Sequence, residues 1–144
     1  MNESTHVRYH HGLRPTKIEV RCPKCRGCAI ATEGDVDHEA AEVPLLAMLP
    51  FGPGHFRVRC LSCDYRASGV PYEQLGPCFH ELEAAGLRVW AWNDEHLRAI
   101  RAYLAREPMA GFAYEPLMVY VPGDWLRRAE RLVRAIDSYL AGRR

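Results

Sequence analysis

The sequence has little net charge and no long apolar run. Its 144 residues include 19 Lys and Arg against 18 Asp and Glu, a net charge of +1, so no global field favours nucleic acid or an anionic membrane. No run approaches the roughly 18 to 20 apolar residues that a membrane-spanning helix needs, and residues 1–11 lack the apolar core of a signal peptide. We therefore expect a cytoplasmic protein without a membrane partner. Any electrostatic recognition of a ligand should depend on local clusters of charged residues.

Motifs of common enzyme classes are also missing. The chain contains no Gly-rich phosphate loop, no nucleophile elbow and no HExxH pair. Hydrophobic residues make up 48% and charged residues 26% of the chain, as in ordinary globular domains. The composition predicts a buried core, and the motifs support neither an enzyme nor a small-molecule substrate.

Six cysteines are present, and four of them form two C-x-x-C pairs, Cys22 with Cys25 and Cys60 with Cys63. In a reducing compartment such pairs are metal ligands more often than disulfides. A two-residue spacer lets both sulfurs of a tight turn face one point, so two turns can form a tetrahedral four-sulfur cage. We expect one structural zinc ion per chain; iron of the rubredoxin type uses the same four thiolates and stays open.

Other candidate ligands and catalytic groups have structural explanations. Cys28 extends the first pair to C-x-x-C-x-x-C, an iron–sulfur spacing, but no Cys-Pro follows nearby and the two pairs already complete a set. Cys78 lies on a short helix predicted over 78–85 and is expected to be partly buried. Asp94 and Glu95, beside His96, complement the dipole of a helix that begins there, without acid–base chemistry.

The pattern of short strands followed by helices predicts an α+β fold. Alternating residues indicate strands at 17–21 and 55–60. Further strands are predicted at 28–32 and, as the return strand after the second Cys pair, at 65–70. We predict a small antiparallel sheet with an inserted loop, followed by an α-rich C-terminal unit with a short strand and two main helices. The predicted domains are 1–72, with an N-terminal arm and an insertion at 33–54, and 73–144.

The C-terminal half carries clear helix signals. A strand is predicted at 87–92, and Asn93 is a good N-cap for a helix that ends near Arg106. Residues 117–121, bounded by prolines, read as an edge strand. Asp124 is expected to cap a second amphipathic helix that runs to Gly142 and carries apolar residues on one face.

Two kinds of surface residue are candidate contacts to a partner. Trp90 and Trp92 lie two apart on a predicted strand and could stack on bases or on a protein; alternatively, the C-terminal helix covers this face, which we expect for at least one of the two. Basic residues that could meet phosphates or an acidic protein surface are Arg57, Arg59, Arg127, Arg128, Arg131 and Arg134. A protein partner could instead use the apolar part of the insertion, namely Leu45, Leu46, Met48 and Leu49.

The two Cys pairs and their flanking strands resemble the zinc-ribbon family over residues 17–70. The chain departs from it in the 34 residues between Cys25 and Cys60, since about 15 to 20 is usual. The stretch LRVWAWNDEHL, residues 87–97, is similar to an L-W-A-Y/W-N-x-E-H-L element of small bacterial zinc-ribbon proteins without an established activity. The resemblance implies a non-enzymatic binding or adaptor module for a protein, with nucleic acid as a second candidate ligand. The alternative is a metal-dependent or redox enzyme that uses Cys and His residues.

Overall fold

The computed structural model describes residues 13–14, 17–33, 47–48, 55–71 and 74–142. The chain divides into two compact units, Met1–Phe79 and His80–Arg144. Strands and helices are both present, so the predicted α+β class is confirmed. The N-terminal arm and most of the insertion at 33–54 lie outside the described residues. Of the described helices, none is both long and apolar enough to cross a membrane.

The first unit is built on an antiparallel sheet. Its described strands are β1 (Leu13–Arg14), β2 (Lys17–Arg21), β3 (Cys28–Glu33), β4 (Ala47–Met48), β5 (His55–Cys60) and β6 (Arg66–Pro71). The main sheet has the order β2-β3-β5-β6, and β1 pairs with β4. This arrangement confirms the four strands predicted beside the Cys pairs.

Alternation along these strands places one set of side chains in the core. Ile18, Ala31 and Phe56 are fully buried. In β5 the buried Phe56 and Val58 alternate with Arg57 and Arg59, so the period of two reflects one buried face there. In β2 the charged Glu19 is buried together with Ile18 and Val20. A bulge interrupts the β5–β6 pairing between Phe56 and Val58, and Gly69 in β6 has φ +65°, a conformation that glycine adopts without steric cost.

The helix predicted at 78–85 is wrong. Cys78 pairs with Val20 at the edge of β2, and residues 80–84 form β7 (His80–Ala84), a hairpin partner of β8 (Leu87–Ala91). Ala85 and Gly86 connect the two strands with φ +53° and +76°, as in the turns that favour tight hairpins. The turn was not predicted, because Ala85-Gly86 lacks the Asn or Asp that usually precedes Gly in a two-residue hairpin turn.

Helices complete the second unit. They are α1 (Asp94–Leu104), a 3-10 helix (Glu115–Tyr120), α2 (Gly123–Arg127) and α3 (Ala129–Ala141). The helix predicted from Asn93 is confirmed, since the Asn93 side chain accepts a hydrogen bond from the His96 amide. The edge strand predicted at 117–121 is wrong, because residues 115–120 form the 3-10 helix, with Pro116 in its first turn.

The long C-terminal helix predicted from Asp124 is interrupted. Pro122 rather than Asp124 precedes the first helical residue, and Arg128 leaves helical geometry at φ −118° and ψ 25°. The Arg128 guanidinium donates to the carbonyl of Ala85 in the β7–β8 turn. Beyond this break, α3 buries Leu132 and Ile136 completely, so the predicted apolar stripe faces the core of the second unit.

Candidate metal centre

The four predicted ligands come together in the first unit. The sulfurs of Cys22, Cys25, Cys60 and Cys63 all lie within 4.8 Å of one another. The Sγ atoms of Cys22 and Cys63 are 3.7 Å apart, and those of Cys25 and Cys60 are 3.5 Å apart. A tetrahedral ion with bonds of 2.3 Å requires sulfur separations of about 3.8 Å. The donor set and its spacing therefore fit one tetrahedral metal ion.

The two Cys pairs occupy equivalent turns. Cys22 directly follows β2 and Cys60 ends β5, so each first cysteine is held by a strand of the sheet. The Cys22 amide donates to the Gly27 carbonyl at 2.8 Å, and the Cys60 amide donates to the Tyr65 carbonyl at 3.0 Å. The same five-residue closure shapes both turns, which presents their sulfurs to each other from opposite sides.

Backbone amides surround the sulfurs in the same repeated pattern. In each turn two amides donate to the first cysteine and a third donates to the second cysteine. The six N···S distances lie between 3.3 and 3.5 Å, with donors Lys24, Cys25, Gly27, Ser62, Cys63 and Tyr65. Such N–H···S bonds stabilise thiolates, the form in which cysteine binds metal. The donors Gly27 and Tyr65 follow from the closure of each turn and were not identified from the sequence.

The environment separates the pKa values of the thiols. Desolvation acts to raise the pKa of Cys60, but the amides of Ser62 and Cys63 donate to its sulfur and bring the pKa down to about 6. The Tyr65 amide acts to lower the pKa of Cys63, but desolvation and the neighbouring sulfurs raise it to about 12. The turn amides thus favour the thiolate of Cys60, whereas desolvation and the neighbouring sulfurs favour the protonated form of Cys63. Because metal ions bind thiolates, binding of a cation would release protons.

One side of the site is covered and the other is open to solvent. Cys22 and Cys60 are buried, whereas Cys25 is exposed and Cys63 is half-buried. At the open side Lys24 forms an ion pair with Asp64, which connects the two turns. Leu61 in the second turn is 60% exposed. The sheet thus anchors the first cysteine of each pair, and the second cysteine closes the site from outside.

The remaining described cysteines stay outside this cluster. The Cys28 thiol donates to the Glu19 carboxylate at 3.5 Å, and Cys28 is not among the four residues whose sulfurs converge. Cys78 is completely buried, further than the partial burial expected. The C-x-x-C-x-x-C spacing of the first turn therefore does not correspond to a set of three converging sulfurs.

The tryptophans predicted as contact residues lie in the core of the second unit. Trp90 is 2% exposed and Trp92 is fully buried. His96 lies between them and Tyr114, stacked on the Tyr114 ring at a centroid distance of 4.7 Å. The Trp92 amide donates to Nδ1 of His96 at 3.1 Å. The WAWNDEHL stretch therefore forms a packed strand-to-helix corner.

The predicted basic residues are divided between the two units. Arg57 is exposed on β5 and Arg59 is half-buried there; Arg59 stands directly opposite Arg66 of β6. In the second unit Arg127 pairs with Asp124, and Arg128 bonds to Ala85 as described above. Arg131 and Arg134 are exposed on α3.

Comparisons with protein-family models, with curated proteins and with solved structures found no match. The assignment of the site therefore rests on the positions and chemistry of its own residues.

Proposed function

We propose that the four cysteines bind one structural zinc ion, that the first unit is a zinc ribbon, and that the chain is a non-enzymatic binding module. The main support for the metal assignment is the convergence of four thiols from two equivalent turns, each of which also supplies amide donors to the sulfurs. Zinc suits this set because it favours four-coordinate tetrahedral sites and has no redox chemistry. The sheet supplies the rigid frame that a structural site needs.

The coordination number supports a structural role. Four protein ligands leave no open position on the ion for water or substrate, whereas hydrolytic zinc sites keep one position free. The groups that could act near α1 are engaged in packing: His96 accepts from the Trp92 amide, and Asp94 pairs with Arg98 at 2.6 Å. These contacts favour the binding module over the alternative of a metal-dependent or redox enzyme.

Elemental analysis of the purified protein tests the metal assignment. We expect one zinc per chain, and we expect Cys22→Ser and Cys60→Ser to lose the ion and to destabilise the first unit, because metal binding and folding are coupled in small sites. Cys28→Ser is the matched control and should retain zinc. One equivalent of iron with visible absorbance, or zinc retained in the double variant Cys22→Ser, Cys60→Ser, would contradict the assignment.

A protein is the partner class that we propose, with nucleic acid as the alternative. Exposed apolar side chains favour a protein: Val119 is 73% exposed and Leu126 is 46% exposed, both in the second unit. The nucleic-acid alternative is supported by the position of Arg59 directly opposite Arg66 in the sheet, which places two basic residues side by side on one face of β5 and β6.

Fluorescence anisotropy with single- and double-stranded oligonucleotides at two salt concentrations separates these classes. Binding through arginines should weaken steeply with salt because counterions are released, and charge reversal at Arg128 and Arg131 should reduce it. Absence of binding at low salt removes the nucleic-acid alternative. Copurification from the native host, with and without nuclease, then tests whether a protein partner remains associated.

A further inference from the structure

A cavity of about 590 Å³ lies beside the first Cys turn, within the first unit. The sheet contributes Val20 and Val58 to its lining, and the segment after β6 contributes Leu75. These three side chains are at most 6% exposed, so they form a well-packed apolar floor. The volume is within the range of small-molecule sites, about 300 to 1,000 Å³.

Two arginines complete the lining. Arg21 ends β2 and Arg26 lies in the first Cys turn, and both line the cavity with exposed side chains. Among the described residues that line the cavity, none is an Asp or a Glu. Within the described part of the chain, neither guanidinium has an ion-pair partner. The cavity therefore combines an apolar floor with two uncompensated positive charges.

The backbone at Arg26 is a second, independent observation. Arg26 has φ +66°, a left-handed conformation that glycine adopts freely and that costs energy for a residue with a Cβ. The turn imposes it, since the Arg26 amide donates to the Cys22 carbonyl at 2.9 Å. Glycine would fit this position without strain, yet the chain has an arginine there whose side chain lines the cavity.

We propose that this cavity binds a small organic anion with an apolar body, whose carboxylate or other acidic group is held by Arg21 and Arg26. The apolar part lies on the floor formed by the valines and Leu75, where burial provides the driving force. The guanidinium groups select the anion through charge-assisted hydrogen bonds. Cys22 also lines the cavity, so the site adjoins the four-sulfur centre. It would use the two arginines and the apolar floor rather than the sulfurs, and it takes a ligand class that the proposed binding module does not require.

The test uses the full-length, zinc-loaded protein and amide chemical shifts measured by NMR during titration. Octanoate is the anionic probe, and 1-octanol is the uncharged probe of the same chain length. We expect saturable shifts at Tyr65, Gln74 and Gly76, which line the cavity, and octanoate affinity at least tenfold above that of octanol. Equal affinity for the two probes, or shifts at saturation that avoid these amides, would overturn the proposal.

Variants separate recognition from folding. Arg26→Gly removes the guanidinium and also the strained Cβ, so the melting temperature should not fall while octanoate affinity drops about three- to tenfold. Arg21→Gln should show a similar loss of affinity. Arg66→Gln removes an exposed charge from the same unit outside the cavity and should change affinity less than twofold. If Arg26→Gly binds octanoate as well as the parent does, the proposal is wrong. Zinc content measured on each sample keeps this result independent of the metal assignment.

Discussion

The side chain of Asn93 makes two hydrogen bonds at the corner between β8 and α1, and its removal gives a sharp test of that corner. Its Oδ1 accepts from the His96 amide at 2.9 Å, and its Nδ2 donates to the Tyr114 hydroxyl at 2.7 Å. Asn93 is 3% exposed and Tyr114 is fully buried, so water does not readily replace either bond.

The expected cost follows from these two bonds. Loss of an N-cap costs about 1 kcal/mol, and loss of a buried hydrogen-bond partner costs about 1 to 3 kcal/mol. Asn93→Ala should therefore reduce the free energy of unfolding of the second unit by about 2 to 4 kcal/mol. Asn93→Ser preserves a capping oxygen but cannot donate to Tyr114, so it should lose less than the Ala variant by about 1 kcal/mol.

Urea unfolding followed by tryptophan fluorescence measures this difference in the correct unit, because Trp90, Trp92 and Trp125 account for all 3 tryptophans of the chain and all lie in the second unit. Arg98→Ala is the control: it removes an exposed ion pair with Asp94 and should cost less than about 0.5 kcal/mol. If Asn93→Ala is no more destabilising than this control, the buried network does not stabilise the corner and the argument fails.

Three further predictions concern the core of the second unit and the candidate metal centre. Leu132 is fully buried, so Leu132→Asp should lower the stability by several kcal/mol and unfold or aggregate the protein. Arg131→Glu is the control and should melt as the parent does. If Leu132→Asp also melts as the parent does, the apolar face of α3 lies on the surface. Burial, aided by the charge of His80, lowers the pKa of His96 from 6.5 to about 3. Because only the unfolded chain then binds a proton at this residue between pH 7 and pH 5, the free energy of unfolding of the second unit should fall by about 2 kcal/mol over that interval. Urea midpoints from tryptophan fluorescence measure this, and a midpoint that stays constant would contradict it. A Cβ at Gly27 would lie 3.0 Å from Ser62 Oγ and 3.3 Å from Cys25 Sγ, so Gly27→Ala should release zinc to a chelator about tenfold more readily, whereas Gly76→Ala, with its nearest contact at 3.5 Å, should not.

Local patterns determined a large part of this structure. The period of two in β2 and β5 and the capping residue Asn93 act over a few residues, and the structure contains the elements that they predict. Each C-x-x-C spacing likewise defines one turn by itself. These features were readable from the sequence because covalent geometry and hydrogen bonding to near neighbours control them.

Features that depend on partners distant in the chain were not readable in the same way. The helix after Pro122 is interrupted where Arg128 donates to the Ala85 carbonyl, 43 residues earlier in the chain. The β7–β8 hairpin is a local exception: its two-residue turn was not recognised, so His80–Ala84 was predicted as part of a helix although it pairs with β8. Trp90 is buried although its position on the strand alone allowed an exposed face. In each case the competing local conformations are close in energy, so the contact made in the folded protein decides between them.

The metal site shows both kinds of control. The sequence by itself determined which four cysteines form two chelating turns. Only the tertiary structure brought the turns together across 34 intervening residues, through the pairing of β3 with β5, and excluded Cys28 by directing its thiol to Glu19. Spacing within a turn is fixed by short covalent geometry, whereas the meeting of two turns requires sheet pairing over a long loop, which no local pattern specifies.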